Sequence, residues 1–317
     1  MTTDAPVLVV TSLEDVTADL VIAVLNERRV PVARIDPGDI GTGLTFAARI
    51  GGGDTGWQGY LTTPSRTVDL SRIRSLYYRR PGPWRFEHLA PQEKDFAARE
   101  AQYGLGGVLR SLTGCRYVNH PVAIARCDYK PAQLQAAAEL GFAVPPTLIA
   151  NDVEAARVFV AQHGPVVYKT FRGVPAGPDG LAGAVWTQRI DAADLDESVS
   201  ATAHLYQQEI DKAADVRVTV VGRQVFASIV HNPGNLLDWR AGDWEKITYE
   251  PVTIPPDVGD LLHRFLARFG LIFGCFDLAL DRAGAYHWIE CNSNGQWGFL
   301  PDSAAIAAEF ATVLEQG

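Results

Sequence analysis

Three side chains near the end of the sequence, Asp277, Glu290 and Asn292, carry its clearest chemistry. Asp277 lies in the strand-like segment FGCFDLALD, and Glu290 and Asn292 lie in the next one, AYHWIECN. Residues two apart on a strand share a face, so Glu290 and Asn292 point the same way, and an adjacent strand can bring Asp277 beside them. Hard oxygen donors of this kind suit Mg2+, which is usually held by one or two carboxylates while substrate phosphates complete its shell. The pattern predicts a metal-bound nucleotide. One acidic residue alone would more often be a solvated strand end; the joint occurrence carries the inference.

A second group is cationic. Lys94, Lys130, Lys169, Lys212 and Lys246 are the only lysines among 28 basic residues, so a lysine inside the apolar segment PVVYKTF stands out. Burying the Lys169 ammonium is costly unless it meets an anion, and phosphate is the expected one. The segment after it, FRGVPAGPDGLAG, carries Gly173, Gly177, Gly180 and Gly183, whose backbone N–H groups could close over phosphates. Neither the dinucleotide nor the P-loop fingerprint is present. His231, Arg79 and Arg80, and Trp84, Trp239, Trp244 and Trp297 are weaker candidates. The histidine and tryptophans are more simply read as loop and packing residues, and the arginines as either cleft residues or anchors of the PGPW loop.

The elements that must position these residues form an α/β chain. VLVVTS, a helix over 14–29 and PVARID alternate as strand, helix and strand, which predicts parallel pairing. LTFAARI, WQGYLTT and SRIRSLYYRRP read as further strands, followed by a helix over 93–112. Residues 1–115 are thus one expected unit. A second, 116–205, holds the helix PAQLQAAAEL stopped by Gly141, a helix over 152–163, the strand of Lys169 and a polar helix over 192–203. A third, 206–317, holds a hairpin turned at Gly222 and Arg223, an amphipathic helix over 257–269, the two strands of the acidic cluster and a closing helix over 303–315.

Composition narrows the function classes. The 317 residues are 47% hydrophobic and 21% charged with a net charge of −9, which argues against nonspecific nucleic-acid binding. Apolar runs are strand-length, so no membrane span is expected, and the opening residues lack a basic signal-peptide region; a cytoplasmic location follows as an expectation. Cys115, Cys127, Cys275 and Cys291 lack metal-site spacing.

VNHP followed by Lys130 and GFAVPPT, Lys169 before its glycine-rich segment, YQQEI before DVRVTVVG, and FDLAL before IECNSNGQW occur in the order found in ATP-grasp ligases. The resemblance covers about residues 115–317. With YYRRP and DWR added, the chain resembles the microviridin-type maturases, which make graspetides by installing ester or amide cross-links in a ribosomal precursor peptide. The resemblance implies an ATP-grasp fold with a pre-grasp domain, a central subdomain and a C-terminal subdomain. It implies ATP and Mg2+ as cofactors, Lys130 and Lys169 on phosphates, the Gln208, Glu209 and Ile210 backbone on adenine, and Asp215 on ribose. Asp277, Glu290 and Asn292 match the metal ligands, and Arg217 and Arg240 match guanidinium groups that hold the reacting carboxylate. The implied partner is a precursor peptide with leader and core, with a homodimer as an option. Gln208 departs from relatives that carry an acidic hinge residue, and the segment before Asp215 is slightly short. The rival readings are another ATP-grasp carboxylate–amine ligase, acting on an amino acid, a metabolite or a protein tail, and a non-catalytic nucleotide-binding regulator.

Overall fold

A computed structural model describes residues 5–172, 185–234 and 236–317. The first unit opens with β1 (Val7–Val10), α1 (Val16–Glu27) and β2 (Val32–Ile35). Asp15 starts α1 by accepting the Ala18 N–H, as a side-chain cap should. Strands β3 (Thr45–Gly51), β4 (Asp54–Thr63) and β5 (Arg66–Asp69) form a separate antiparallel sheet. After them, β6 (Ser75–Tyr78) returns to pair in parallel with β1. The single helix expected over 93–112 is two, α2 (Pro91–Tyr103) and α3 (Leu105–Arg110). They break at Gly104, whose ψ of −86° is off the helical line. Strand β7 (Arg116–Val118) pairs with β6 and completes the parallel order β2-β1-β6-β7, so this sheet runs past residue 115.

Helices α4 (Pro121–Cys127) and α5 (Lys130–Leu140) follow, the latter ended by Gly141 at φ 102°. Next come β8 (Thr147–Ala150), α6 (Val153–His163), β9 (Val166–Lys169), β10 (Gln188–Ile190) and β11 (His204–Gln208), whose strands form the antiparallel sheet β10-β9-β11-β8. The polar helix expected over 192–203 is two short 3-10 turns, Ala192–Asp194 and Glu197–Ala201. Its sequence offers Leu195 and Val199 as its large apolar residues, too few to seat a full helix. The glycine-rich segment at Gly173, Gly177, Gly180 and Gly183 lies outside the described residues.

The last unit is the five-stranded antiparallel sheet β14-β13-β12-β15-β16. Its members are β12 (Lys212–Val221), β13 (Gln224–His231), β14 (Thr248–Pro251), β15 (Phe273–Asp281) and β16 (Tyr286–Asn292). The β12–β13 hairpin turns at Gly222, where φ is 57°. Helix α7 (Pro256–Phe269) buries Leu262, Phe265, Leu266 and Phe269 on this sheet, and Ala136 and Ala137 of α5 join the same core. The closing helix α8 (Ser303–Glu315) packs Ile306, Phe310 and Leu314 into a core shared with Val7 and Tyr77 of the first sheet and Phe273 of the last. The central sheet keeps its own small core around Phe159, Val166 and Tyr206. Among the described residues no helix is long and apolar enough to cross a membrane.

Candidate active site

A cleft of about 540 Å³ lies between the central sheet and the last sheet. Its acidic wall follows from strand register. Arg217 on β12 stands opposite Asp277 on β15, and Asp277 stands opposite Glu290 on β16, so the three form one row across the sheet. A β-bulge next to Asp277 leaves Ile289 without a cross-strand partner, a device that re-aims side chains beside functional sites. Asn292, two residues after Glu290, shares its face and donates to Asp277 at 3.4 Å and Glu290 at 3.3 Å.

Each carboxylate is balanced differently. Both Asp277 oxygens accept from Arg217 at 3.0 Å. Burial nonetheless pushes the Asp277 carboxyl upward, with Arg217 opposing and Glu290 adding to the rise. Glu290 is also penalised by burial, but Lys130, which bonds it directly, and then Arg240 hold it down at about 2. Among the described residues no group of three or more His, Cys, Asp or Glu side chains converges. The donor set is two carboxylates and an amide, which fits Mg2+ if phosphate oxygens supply the remainder.

Three lysines line the same cleft. Lys130 opens α5 and Lys169 ends β9, where Lys169 donates to Gln207 Oε1 at 2.7 Å. Burial lowers the Lys169 pKa to about 8, with Glu290 pulling it up and Lys130 and Lys212 pushing it down. Lys212, absent from the expected set, binds both oxygens of Asp215 at 2.7 Å and the Leu237 carbonyl at 2.8 Å. The scarcity of lysine was the signal that could have found it. Asp215 lines the cleft, and burial raises its carboxyl against the pull of Lys212.

At the hinge between β11 and β12, the Gln208 N–H donates to Pro146 O and the Glu209 N–H to Pro165 O. The Gln208 side chain donates to His163 O, and the Glu209 carboxylate grips Arg189, so neither side chain is free. Ile210 lines the cleft, and its N–H has no partner among the described residues. Arg240, on a short 3-10 turn, is held by Asp238 at 2.9 and 2.8 Å and reaches Glu290 at 3.6 Å. Asp238 also accepts from Thr187 N and Oγ1, tying this turn to the central sheet's edge.

A second cavity of about 340 Å³ shares Asp277, Asn292 and Arg240 with the cleft. The loop after β16 forms one wall, fixed by Arg79, which donates to the Gly295 carbonyl at 3.0 Å and to Asn294 O and Gln296 Oε1. Thus Arg79 anchors the 294–296 loop, whereas Gly82 of the PGPW stretch and Arg85 just after it are held by Asp36. Trp239 and Trp244 meet edge-on at 5.5 Å beside this cavity. Trp297 is core, stacked on Phe310, and Trp84 packs within the first unit. His231 pairs with Glu250 on an exposed edge, away from both spaces.

Residues 6–125 match the family described as the MvdD pre-ATP grasp domain. The fold of the whole chain is that of a Chryseobacterium gregarium RiPP-associated ATP-grasp ligase, solved in complex with ADP and a leader and core peptide. The two are 25% identical with a TM-score of 0.87, covering 98% of this chain and 96% of that one. The chain has the ATP-grasp fold, with a pre-ATP grasp domain over residues 6–125. The macrocyclase MdnB from Microcystis aeruginosa MRC is 28% identical to this chain with a TM-score of 0.81, over 98% of this chain and 99% of that one. The same fold recurs in the ATP-grasp ligase PsnB, solved with a phosphomimetic precursor variant, Mg and ADP, at 23% identity and a TM-score of 0.78, over 99% and 98% of the chains. No curated protein matches the sequence.

Proposed function

We propose that this chain uses ATP to form side-chain ester or amide cross-links in a ribosomally made precursor peptide. One observation carries the reading: a cleft in which three lysines stand around the Asp277–Glu290 pair adjoins a second, arginine-lined cavity through Asp277 and Asn292. Lys130 and Lys169 would meet the phosphates, the hinge backbone through Ile210 would meet adenine, and Asp215 would meet ribose. Asp277, Glu290 and Asn292 would hold Mg2+, which when bound offsets charge on the triphosphate.

The chemistry then divides between the two spaces. A carboxylate oxygen of an Asp or Glu in the peptide attacks the γ-phosphorus, the bond to the β-phosphate oxygen breaks, and ADP leaves. Positioning and charge neutralisation dominate such transfers. A Ser or Thr hydroxyl, or a Lys amine, next attacks the acyl carbon, gives up its proton, and expels phosphate. Arg240 sits where the two spaces meet, and its planar fork suits a carboxylate or an acyl phosphate. A leader segment bound on the central sheet would raise the local concentration of the core. The RiPP-associated ligase and the macrocyclase named above support the peptide as substrate.

The test is mass spectrometry of a precursor peptide encoded beside this gene, incubated with the ligase, ATP and Mg2+. The expected product loses the mass of one water for each ATP consumed. A product that gains the mass of an amino acid refutes the cross-linking reading. Arg240→Ala should keep ADP affinity and lose dehydration.

A further inference from the structure

The second cavity has three arginines in its wall, and they are not equivalent. Arg217 is 6% exposed; one terminal nitrogen is spent on Asp277 and the other on the Gln296 carbonyl at 2.9 Å. Arg240 commits two nitrogens to Asp238. Arg80 differs from both. Its guanidinium donates only to the Asn294 carbonyl, at 3.3 and 3.1 Å, and has no carboxylate partner among the described residues. Arg80 is solvent-exposed; partial desolvation and the neighbouring Arg79 charge lower its pKa while Asp15 raises it, and an arriving anion would meet a guanidinium with no carboxylate to displace.

We propose that Arg80 joins Arg240 in capturing the substrate carboxylate in the second cavity, so that the first α/β unit supplies a specificity-determining residue to a wall otherwise drawn from Asp128 and the last unit. The ligand chemistry is a side-chain carboxylate, entering on the far side of Asp277 and Asn292 from the lysines, which line only the cleft. Arg217 then acts as a positioning residue, holding Asp277 and the 296 carbonyl in place. The buried Arg79 next door keeps Arg80 over the cavity, because its bonds to the 294–296 loop fix the strand end from which Arg80 projects. That the carboxylate belongs to a peptide rests on the cross-linking reading; that Arg80 binds a carboxylate does not.

The probe is glutarate, titrated into the ADP- and Mg2+-loaded protein while tryptophan fluorescence reports on Trp239 and Trp244 beside the cavity. Arg80→Gln should weaken glutarate about tenfold or more, the loss expected for a charge-assisted contact, while leaving ADP affinity by calorimetry unchanged. Arg80→Lys should recover part of the affinity, since it restores charge without the planar fork. With a precursor peptide, Arg80→Gln should raise KM more than it lowers kcat. Equal glutarate affinity in Arg80→Gln, or no glutarate binding by the parent protein, overturns the assignment. If the precursor is not dehydrated yet glutarate binding still depends on Arg80, the cross-linking reading fails and the carboxylate site stands.

Discussion

Asp277 and Glu290 face each other across two strands, but their surroundings make their removal unequal. Asp277 is the partner of a guanidinium that is 6% exposed, so Asp277→Ala strands a buried charge on Arg217. Breaking such a pair costs about 3–5 kcal/mol, and thermal denaturation should show a clear fall in melting temperature together with loss of activity. Glu290 pairs with Lys130, whose side chain is 24% exposed and can turn to water. Glu290→Gln should therefore abolish turnover with little change in melting temperature, and wild-type turnover would end the metal-ligand assignment. Lys169 gives a pH signature. Its pKa, lowered by burial to about 8 before nucleotide binds, leaves it charged below that pH and neutral above it. ADP affinity measured by calorimetry should fall as pH rises past about 8, and in Lys169→Met it should be weaker and flat over the same window.

The elements around the site explain why its loop tolerates so little. An added Cβ on Gly295 would lie 2.3 Å from Cys275 Cβ and 2.9 Å from an Arg217 nitrogen. Gly295→Ala should displace the Arg217 side chain, lowering both melting temperature and kcat, whereas Gly284→Ala, in a turn at φ 88° with open space around it, should cost only backbone strain. Much of this scaffold was legible in the sequence because periodicity is strong where one face is buried: α7, α8, the Gly222 hairpin and the strands of Asp277 and Glu290 all follow it. The misses have physical causes. Gly104 breaks a continuous helical pattern, β5 is a short exposed strand with only Val68 buried, and residues 192–201 lack the apolar stripe a helix needs. At the site, the acidic row was readable because strand spacing fixes it. The partnership of Lys212 with Asp215, three residues apart, turns on which way neighbouring side chains face, and the difference between Arg79 and Arg80 on contacts with residues more than 200 positions away.

For the molecule as a whole, the closing helix is structural cement between the two ends of the sequence. Phe310 touches Tyr77 of the first sheet at 5.0 Å and Phe273 of the last at 4.8 Å between ring centroids. A chain ending at residue 302 should expose Val7, Tyr77 and Phe273 together and fail to remain soluble, which expression and size-exclusion chromatography would reveal. The central sheet is tied differently, with its own core and a few polar bridges such as Thr187 to Asp238. The first unit and the last therefore make a single anvil, and the central sheet is the hammer. Lys130, Lys212, Asp277 and Glu290 all belong to the anvil, because α5 packs on the last sheet. Lys169 and Gln207 ride on the hammer. Under the proposed nucleotide reading, a swing of that sheet would shift Lys169 relative to the nucleotide while leaving Lys130, Lys212 and both carboxylates in register with one another.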